Sequence, residues 1–344
     1  MPSVVDLFCG VGGLTHGFVK EGFNVVAGID VDSSCNYAYE KNNKAEFLLK
    51  DILELTAEDV IALYPNDDLK ILVGCAPCQP FSRYTNRKSE DSKWKLVGKF
   101  AELISEIQPD IVSMENVPEL AKHSVFKDFL RILDENHYER SWSFVECVKY
   151  GMPQTRTRLV LFASKLGPIE IIKPTHSPSR VRTVRNVIGN IEPIKAGQVS
   201  PKDSLHRASA LTEINLKRIA ATPEGGSWKD WDEELVLKCH KKETGKSYPS
   251  VYGRMKWNEP APTMTTQCNG LGNGRFGHPE QNRAISLREA ALIQTFPRYY
   301  RFVEPKTEVV IKHVARHIGN AVPVRLGKII ARTIRKHLET HGYD

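Results

Sequence analysis

Apolar residues come in short blocks along the first third of the chain, and each block is followed by a stretch with helical spacing. Val4 to Phe8 is an apolar run, and "LTHGFVKEG" behind it carries a helical stripe ending at Gly22. "NVVAGID", "AEFLL", "LKILVGC" and "DIVSMEN" predict further strands. Ser33 to Lys41, "AEDVIALY" and "LVGKFAELISEI" predict the helices between them. Repeated strand–helix units of this length predict an α/β fold with a parallel, doubly wound sheet and right-handed crossovers.

The pattern changes after Ser164. "GPIEIIKPTHSPSR" carries three prolines and reads as a linker. From there to about Pro279 periodicity is weak, and Lys, Arg, Gly and Pro are frequent. This predicts an irregular, mostly β second lobe of short strands and long loops. Regular spacing returns in "SLREAALIQTF", where Ser286 and Glu289 have capping-box spacing, and in the amphipathic "VRLGKIIARTIRKHL". There is no internal repeat or low-complexity tract.

Composition is that of a globular chain, with 41% hydrophobic and 26% charged residues among 344. No apolar run approaches the length of a membrane span, and no charged-then-apolar leader precedes the first strand, so a cytoplasmic protein is expected. The net charge of +7 is unevenly placed: Lys165 to Glu259 holds 17 Lys/Arg against 11 Asp/Glu. A local basic surplus suits a polyanionic partner, although a solvated surface explains it equally well. Seven cysteines in scattered positions form no disulfide framework, and the one zinc candidate, Cys239-His240, has no second pair at ligand spacing, so no metal is expected.

Two segments point to chemistry. "DLFCGVGG" follows a strand and opens a helix, and Gly10, Gly12 and Gly13 would let a ligand approach the backbone. Asp30 ends the next strand, where a ribose would be gripped, and Asp51 ends the third, within reach of an adenine amino group. This suits any adenosine-bearing cofactor; a dinucleotide dehydrogenase and a ligand-free turn remain alternatives. The second segment is "GCAPCQPFS", at the carboxyl edge of the fourth strand. Pro77 and Pro80 bracket Cys78 and stiffen its presentation, while Cys75 directly ends the strand and reads as a core filler. Glu115 ends the following strand, and Arg156 and Arg158 precede another. A thiol, a carboxyl and guanidinium groups at one sheet edge suit covalent, acid-assisted catalysis.

In order along the chain, "DLFCGVGG", "GCAPCQPFS", "MENV", "QTRTR", "SLREAALIQTFP" and "GNAVP" resemble the motifs of the DNA cytosine-5 methyltransferases. The resemblance covers Val4 to about Gly167 and Ala284 to about Leu326. It implies a Rossmann-like sheet that binds S-adenosylmethionine (SAM) and releases S-adenosylhomocysteine, with residues 1–172 and 312–344 forming the catalytic domain. Residues 173–285 would be the target-recognition domain and 286–311 a connecting region. Cys78 would attack carbon 6 of cytosine, Glu115 would engage N3, and Arg158, with Arg156 nearby, would hold O2. Phe8, Gly10, Gly12, Gly13, Asp30, Val31, Asp51, Ile52, Pro77, Asn320 and Val322 would line the cofactor pocket.

The partner implied is double-stranded DNA, with the target base flipped out of the stack. Gln79, Ser82, Arg83, Lys88, Thr263 and Arg275 are the candidate DNA contacts, and the polar segment after Cys78 is expected to close as a lid. Trp228 and Trp231 are expected in the small-lobe core. The short lead-in to the first motif resembles bacterial restriction-modification enzymes. It suggests a monomer working at the nucleoid beside a cognate endonuclease. A tRNA methyltransferase of the same family, a catalytically silent DNA-binding relative and a dinucleotide oxidoreductase are the competing readings.

Overall fold

A computed structural model describes residues 2–66, 68–77 and 90–343. Two compact units divide the chain: Met1–Tyr150 with Thr157–Thr175 and Ala321–Asp344, and Gly151–Arg156 with His176–Asn320.

The first unit is a sheet of seven strands: β1 (Ser3–Leu7), β2 (Asn24–Asp30), β3 (Glu46–Leu49), β4 (Lys70–Gly74), β5 (Ile111–Asn116), β6 (Glu139–Glu146) and β7 (Thr157–Ser164). Their spatial order is β3-β2-β1-β4-β5-β7-β6. Helices α1 (Gly13–Lys20), α2 (Asn36–Asn43), α3 (Ala57–Ile61), α4 (Glu90–Ile107) and α5 (Ser124–Glu135) fall between the strands in the chain. β1 and β5 are buried at every position, which is why they read as near-continuous apolar runs. Strand order reverses beside β1, between β1 and β4, the switch point where such sheets carry ligands beyond their carboxyl ends.

The sheet is not wholly parallel, as the strand–helix rhythm had predicted. β7 runs antiparallel to both β5 and β6. The link from β6 to β7 holds only a 3-10 turn, Cys147–Tyr150, and a few further residues, too little for a parallel crossover. β6 is an edge strand, with Trp142 and Phe144 exposed.

The C-terminal helix, Val324–Thr340, returns to this unit and packs on α1. The two helices touch through glycines: a Cβ on Gly17 would lie 2.4 Å from the Gly327 carbonyl carbon. Glu21 holds Arg332 at 2.9 Å and Lys328 at 3.2 Å across the same contact. Both cations are partly solvated, so the close backbone approach matters more than the ion pairs.

The second unit holds short helices, Val184–Ile188, Glu213–Ala221, Glu243–Lys246, Leu287–Ile293 and Ile311–Asn320. The expected short strands reduce, among the described residues, to isolated bridges such as Val199↔Arg207, Arg254↔Gly277 and Gly277↔Ala284. Buried arginines take over the work of a ladder. Arg254 donates to the carbonyls of Ile219 and Thr222 (2.6 Å each), Gln281 (2.6 Å) and His278 (2.8 Å). Arg283 grips Glu289 through two bonds of 2.7 and 2.8 Å, fully buried. The same glutamate accepts from the Ser286 backbone N–H at 2.7 Å while Ser286 Oγ accepts from Glu289 N–H, the capping box that the spacing predicted. Trp228 and Trp231 lie in a buried cluster with Leu235, as expected.

Candidate active site

Beyond β1 the backbone turns through Phe8 (φ 59°), Gly10 (φ 50°) and Gly12 (φ 80°) before α1 begins. Left-handed conformations at the two glycines carry no Cβ penalty. A Cβ on Gly13 would lie 2.2 Å from the Val322 carbonyl oxygen, so this position must be glycine for the C-terminal segment to pass. Asp30, at the end of β2, braces the turn: its carboxylate accepts from Gly10 N–H at 2.8 Å and from Asp32 N–H at 2.9 Å. Burial pushes the Asp30 carboxyl upward, and these backbone donors oppose that. Asp51 caps the next turn by accepting from Leu53 N–H at 2.9 Å.

This rim fits an adenosine-bearing group. Among the described residues a Cβ on Gly10 would meet nothing within 4 Å, so backbone there is open to a ligand. Val31 directly follows Asp30 and is 68% exposed, an apolar surface suited to a base. Of the remaining cofactor candidates, Phe8 is half-buried and packs edge-on against Phe100. Ile52 is a core residue, Pro77 is exposed, and Val322 is buried. Asn320 ends a helix of the second unit.

Asp6 lies behind the turn and was not singled out from sequence. Its carboxyl is buried and accepts from Thr15 Oγ at 2.5 Å. Burial, only partly offset by the Thr15 hydrogen bonds, raises its pKa to about 7.

Glu115 is the centre of the second cluster. It ends β5, is 2% exposed, and carries the carboxyl expected there. Arg158 Nε lies 3.1 Å from Oε1. The ladder explains the contact: Glu115 faces Val160 of β7, and Arg158, two residues away, shares that face as the diagonal neighbour. Cys75 donates its thiol proton to Oε2 at 2.8 Å. Oε1 accepts no hydrogen bond of good geometry among the described residues, so its contact with Arg158 is electrostatic. Asn116 donates from its side-chain amide to the Ala76 carbonyl at 3.1 Å, tying the segment after β4 to the end of β5.

Cys75 is therefore more than the filler its place in the sequence suggested. The register that pairs Gly74 with Met114 brings the next residues, Cys75 and Glu115, side by side. That register was the signal available, and it depends on β4 and β5 being neighbours. Cys78, Gln79, Ser82, Arg83 and Lys88 lie outside the described residues. Arg156 belongs to the second unit, where it is buried and donates to the Met264 carbonyl at 3.2 Å. Thr263 is in the same unit and donates to the Thr155 carbonyl at 2.9 Å. Arg275 is half-buried and braces the lobe, donating to the carbonyls of Gly226 at 2.8 Å and Arg254 at 3.2 Å and also to that of Gly225.

A family model described as C-5 cytosine-specific DNA methylase matches residues 3–336. The chain belongs to that family. As a member, it is a SAM-dependent DNA cytosine-5 methyltransferase, and the oxidoreductase and silent-relative readings fall away. The methylase is 58% identical over 340 residues to a type II methylase, M.HgiDII, of Herpetosiphon aurantiacus, covering 98% of this chain and 96% of the relative. It is 29% identical to the type II methyltransferase M1.BsuMI of Bacillus subtilis (strain 168), covering 96% and 79%. Among solved structures, a prophage-encoded DNA modification methyltransferase of E. coli superimposes with a TM-score of 0.76 at 23% identity, covering 98% of this chain and all of that one. The Entamoeba histolytica methyltransferase EhMeth does so at 0.66 and 18% identity, covering 98% and 99%. Both share the fold of this methylase. Among the described residues, no helix is long and apolar enough to cross a membrane.

Proposed function

We propose that the methylase modifies carbon 5 of a cytosine flipped out of a double-stranded DNA site, through a transient bond between Cys78 and carbon 6. The observation that carries this is the Glu115 cluster: a buried carboxylate at the strand edge, with a guanidinium on one oxygen and a thiol on the other. Carbon 5 is a poor nucleophile in the aromatic ring. Attack by the Cys78 thiolate forms the sulfur–carbon 6 bond and moves the 5,6 π-electrons onto carbon 5. Glu115 engages N3 and offsets the charge that this attack develops in the ring. Arg158 holds the Glu115 carboxylate in place and, with Arg156, meets the cytosine O2.

SAM, when bound, supplies an electrophilic methyl group and leaves as S-adenosylhomocysteine. Gly10, Asp30, Val31 and Asp51 would hold it, with Phe8, Gly12, Gly13, Ile52, Pro77, Asn320 and Val322 completing the pocket. Loss of the carbon 5 proton then returns the electrons to the ring and breaks the bond to sulfur, restoring the thiolate.

The kinship with type II enzymes supports a role as the modification half of a restriction-modification pair in a bacterial cell. There it would act as a monomer beside an endonuclease that reads the same site. Gln79, Ser82, Arg83, Lys88, Thr263 and Arg275 are proposed to meet the DNA. Duplex DNA carrying 5-fluorocytosine at the target tests the covalent step. The wild-type protein with SAM should form a denaturation-resistant adduct, and Cys78→Ser should form none while its turnover falls by at least ~10³-fold. A fully active Cys78→Ser protein would reject the mechanism. Bisulfite sequencing of host DNA from cells expressing the chain would read out the site.

A further inference from the structure

β6 pairs with β7 on one flank and, among the described residues, with no strand on the other. We propose that this open flank docks the β6 of a second copy of the chain, in an antiparallel pair centred on Ser143 that joins two sheets into one.

Proteins blunt an open sheet edge by making it short, by placing proline or lysine on it, or by a bulge. β3, at the far side of the sheet, is only four residues long. β6 has none of these devices. Its eight residues, "ERSWSFVE", include no Pro, Gly or Lys, and its register with β7 runs unbroken from Glu139↔Ser164 to Glu146↔Thr157.

The strand's own sequence selects its partner. Side chains alternate across a strand, so Arg140, Trp142, Phe144 and Glu146 share one face. Trp142 is 40% exposed and Phe144 52%, with ring centroids 5.6 Å apart, and the Trp142 ring meets buried Phe126 edge-on at 5.4 Å. In an antiparallel ladder, residues whose N–H and C=O point outward must oppose one another. Two copies of one strand satisfy this only when the two-fold axis passes through a residue. With the axis at Ser143, Arg140 opposes the partner's Glu146 and Trp142 opposes the partner's Phe144. Each pairing occurs twice, which sets four aromatic rings between opposite charges, and such cross-strand pairs are what stabilise a sheet. An axis at Trp142 would set Arg140 against Phe144, and one at Phe144 would set Trp142 against Glu146.

The charges have local partners too. Asp134 accepts from Arg140 Nε and Nη2 at 2.7 and 2.8 Å, and Lys149 donates to Glu146 Oε1 at 2.6 Å. Pairing across the axis would draw on Arg140 Nη1 and Glu146 Oε2, extending these contacts into rows of alternating sign. A single strand pair is small beside an obligate interface, so the dimer is weak, and the monomer proposed above is the species at dilution. The pairing is independent of the reaction.

Sedimentation velocity of the full chain from about 1 to 100 µM tests it. The wild type should shift toward dimer as concentration rises. Phe144→Lys alters an exposed side chain and should stay monomeric, with kcat within about twofold of the wild type. Arg140→Glu sets Glu against Glu, and Glu146→Arg sets Arg against Arg, so each alone should self-associate at least about tenfold more weakly. Mixed in equal amounts, these two variants should form a heterodimer, because each meets opposite charge at both ends. A wild type that stays monomeric across the range would overturn the proposal and leave the edge to a different chain. So would a dimer that Phe144→Lys leaves intact, or a dimeric wild type whose two charge variants fail to associate when mixed.

Discussion

Glu115 shows how much a single position depends on its neighbours. Its burial would be costly for an isolated charge, and the guanidinium of Arg158 and the Cys75 thiol make it tolerable. Glu115→Gln keeps shape and size but removes the charge. We expect kcat to fall by roughly 10² or more with little change in KM for DNA, measured by tritiated methyl incorporation. Cys75→Ala should leave the protein folded but loosen the carboxylate, giving a smaller fall in kcat, of about tenfold. That Glu115 and Arg158 share one sheet edge was readable in advance, because both lie at the ends of strands in the carboxyl-edge region where such folds carry ligands. Cys75 was not, since a cysteine closing an apolar strand looks like packing until the register is known. Asp6 escaped notice for the same reason: an acid inside an apolar run shows its environment only once both faces of the strand are covered. Its raised pKa has a consequence for stability. The folded protein keeps a proton on Asp6 that the unfolded chain loses near its ordinary value of 3.8, so the stability this contributes is present below about pH 4 and is lost as pH rises toward 7. Asp6→Asn cannot titrate and should gain on the wild type by on the order of 2 kcal/mol between pH 5 and 8. Urea midpoints of the two proteins at those pH values would check it, and parallel curves would refute it.

At the level of elements, the β1–turn–α1 unit is the most constrained part of the methylase. Gly13→Ala would place a methyl carbon 2.2 Å from the Val322 carbonyl, and neither backbone can yield cheaply. A loss of about 2–4 kcal/mol is expected, together with weaker SAM binding, readable by thermal shift with and without the cofactor. Gly10→Ala meets no neighbour among the described residues and only a positive φ, so its effect on stability should be smaller, about 1 kcal/mol. The strand–helix alternation was clear from periodicity because central strands are buried on both faces. The reversal of β7 was hidden, since direction depends on the length of the link from β6, and β6 itself alternates too weakly to stand out. The second unit was legible only as irregular. Its order comes from guanidinium groups such as Arg254 reaching carbonyls far away in the chain, and no local pattern announces those partners.

Across the whole molecule, charge is the property most directly tied to function. The basic surplus between Lys165 and Glu259 suits a polyanion, so duplex affinity should fall steeply between 50 and 200 mM salt, by roughly 10³-fold if about six phosphates are neutralised. Filter binding across that range would measure it, and a flat response would argue against an electrostatic grip.

The return of the C-terminal helix to α1 also sets a schedule for biosynthesis. The α1 surface around Gly17 receives its partner only from Val324–Thr340, about 300 residues later. At roughly 5–20 residues per second, an emerging polypeptide waits many seconds on the ribosome before that surface is covered. Until Val324–Thr340 has been made, α1 has no partner on its Gly17 side and the sheet domain stays unfinished.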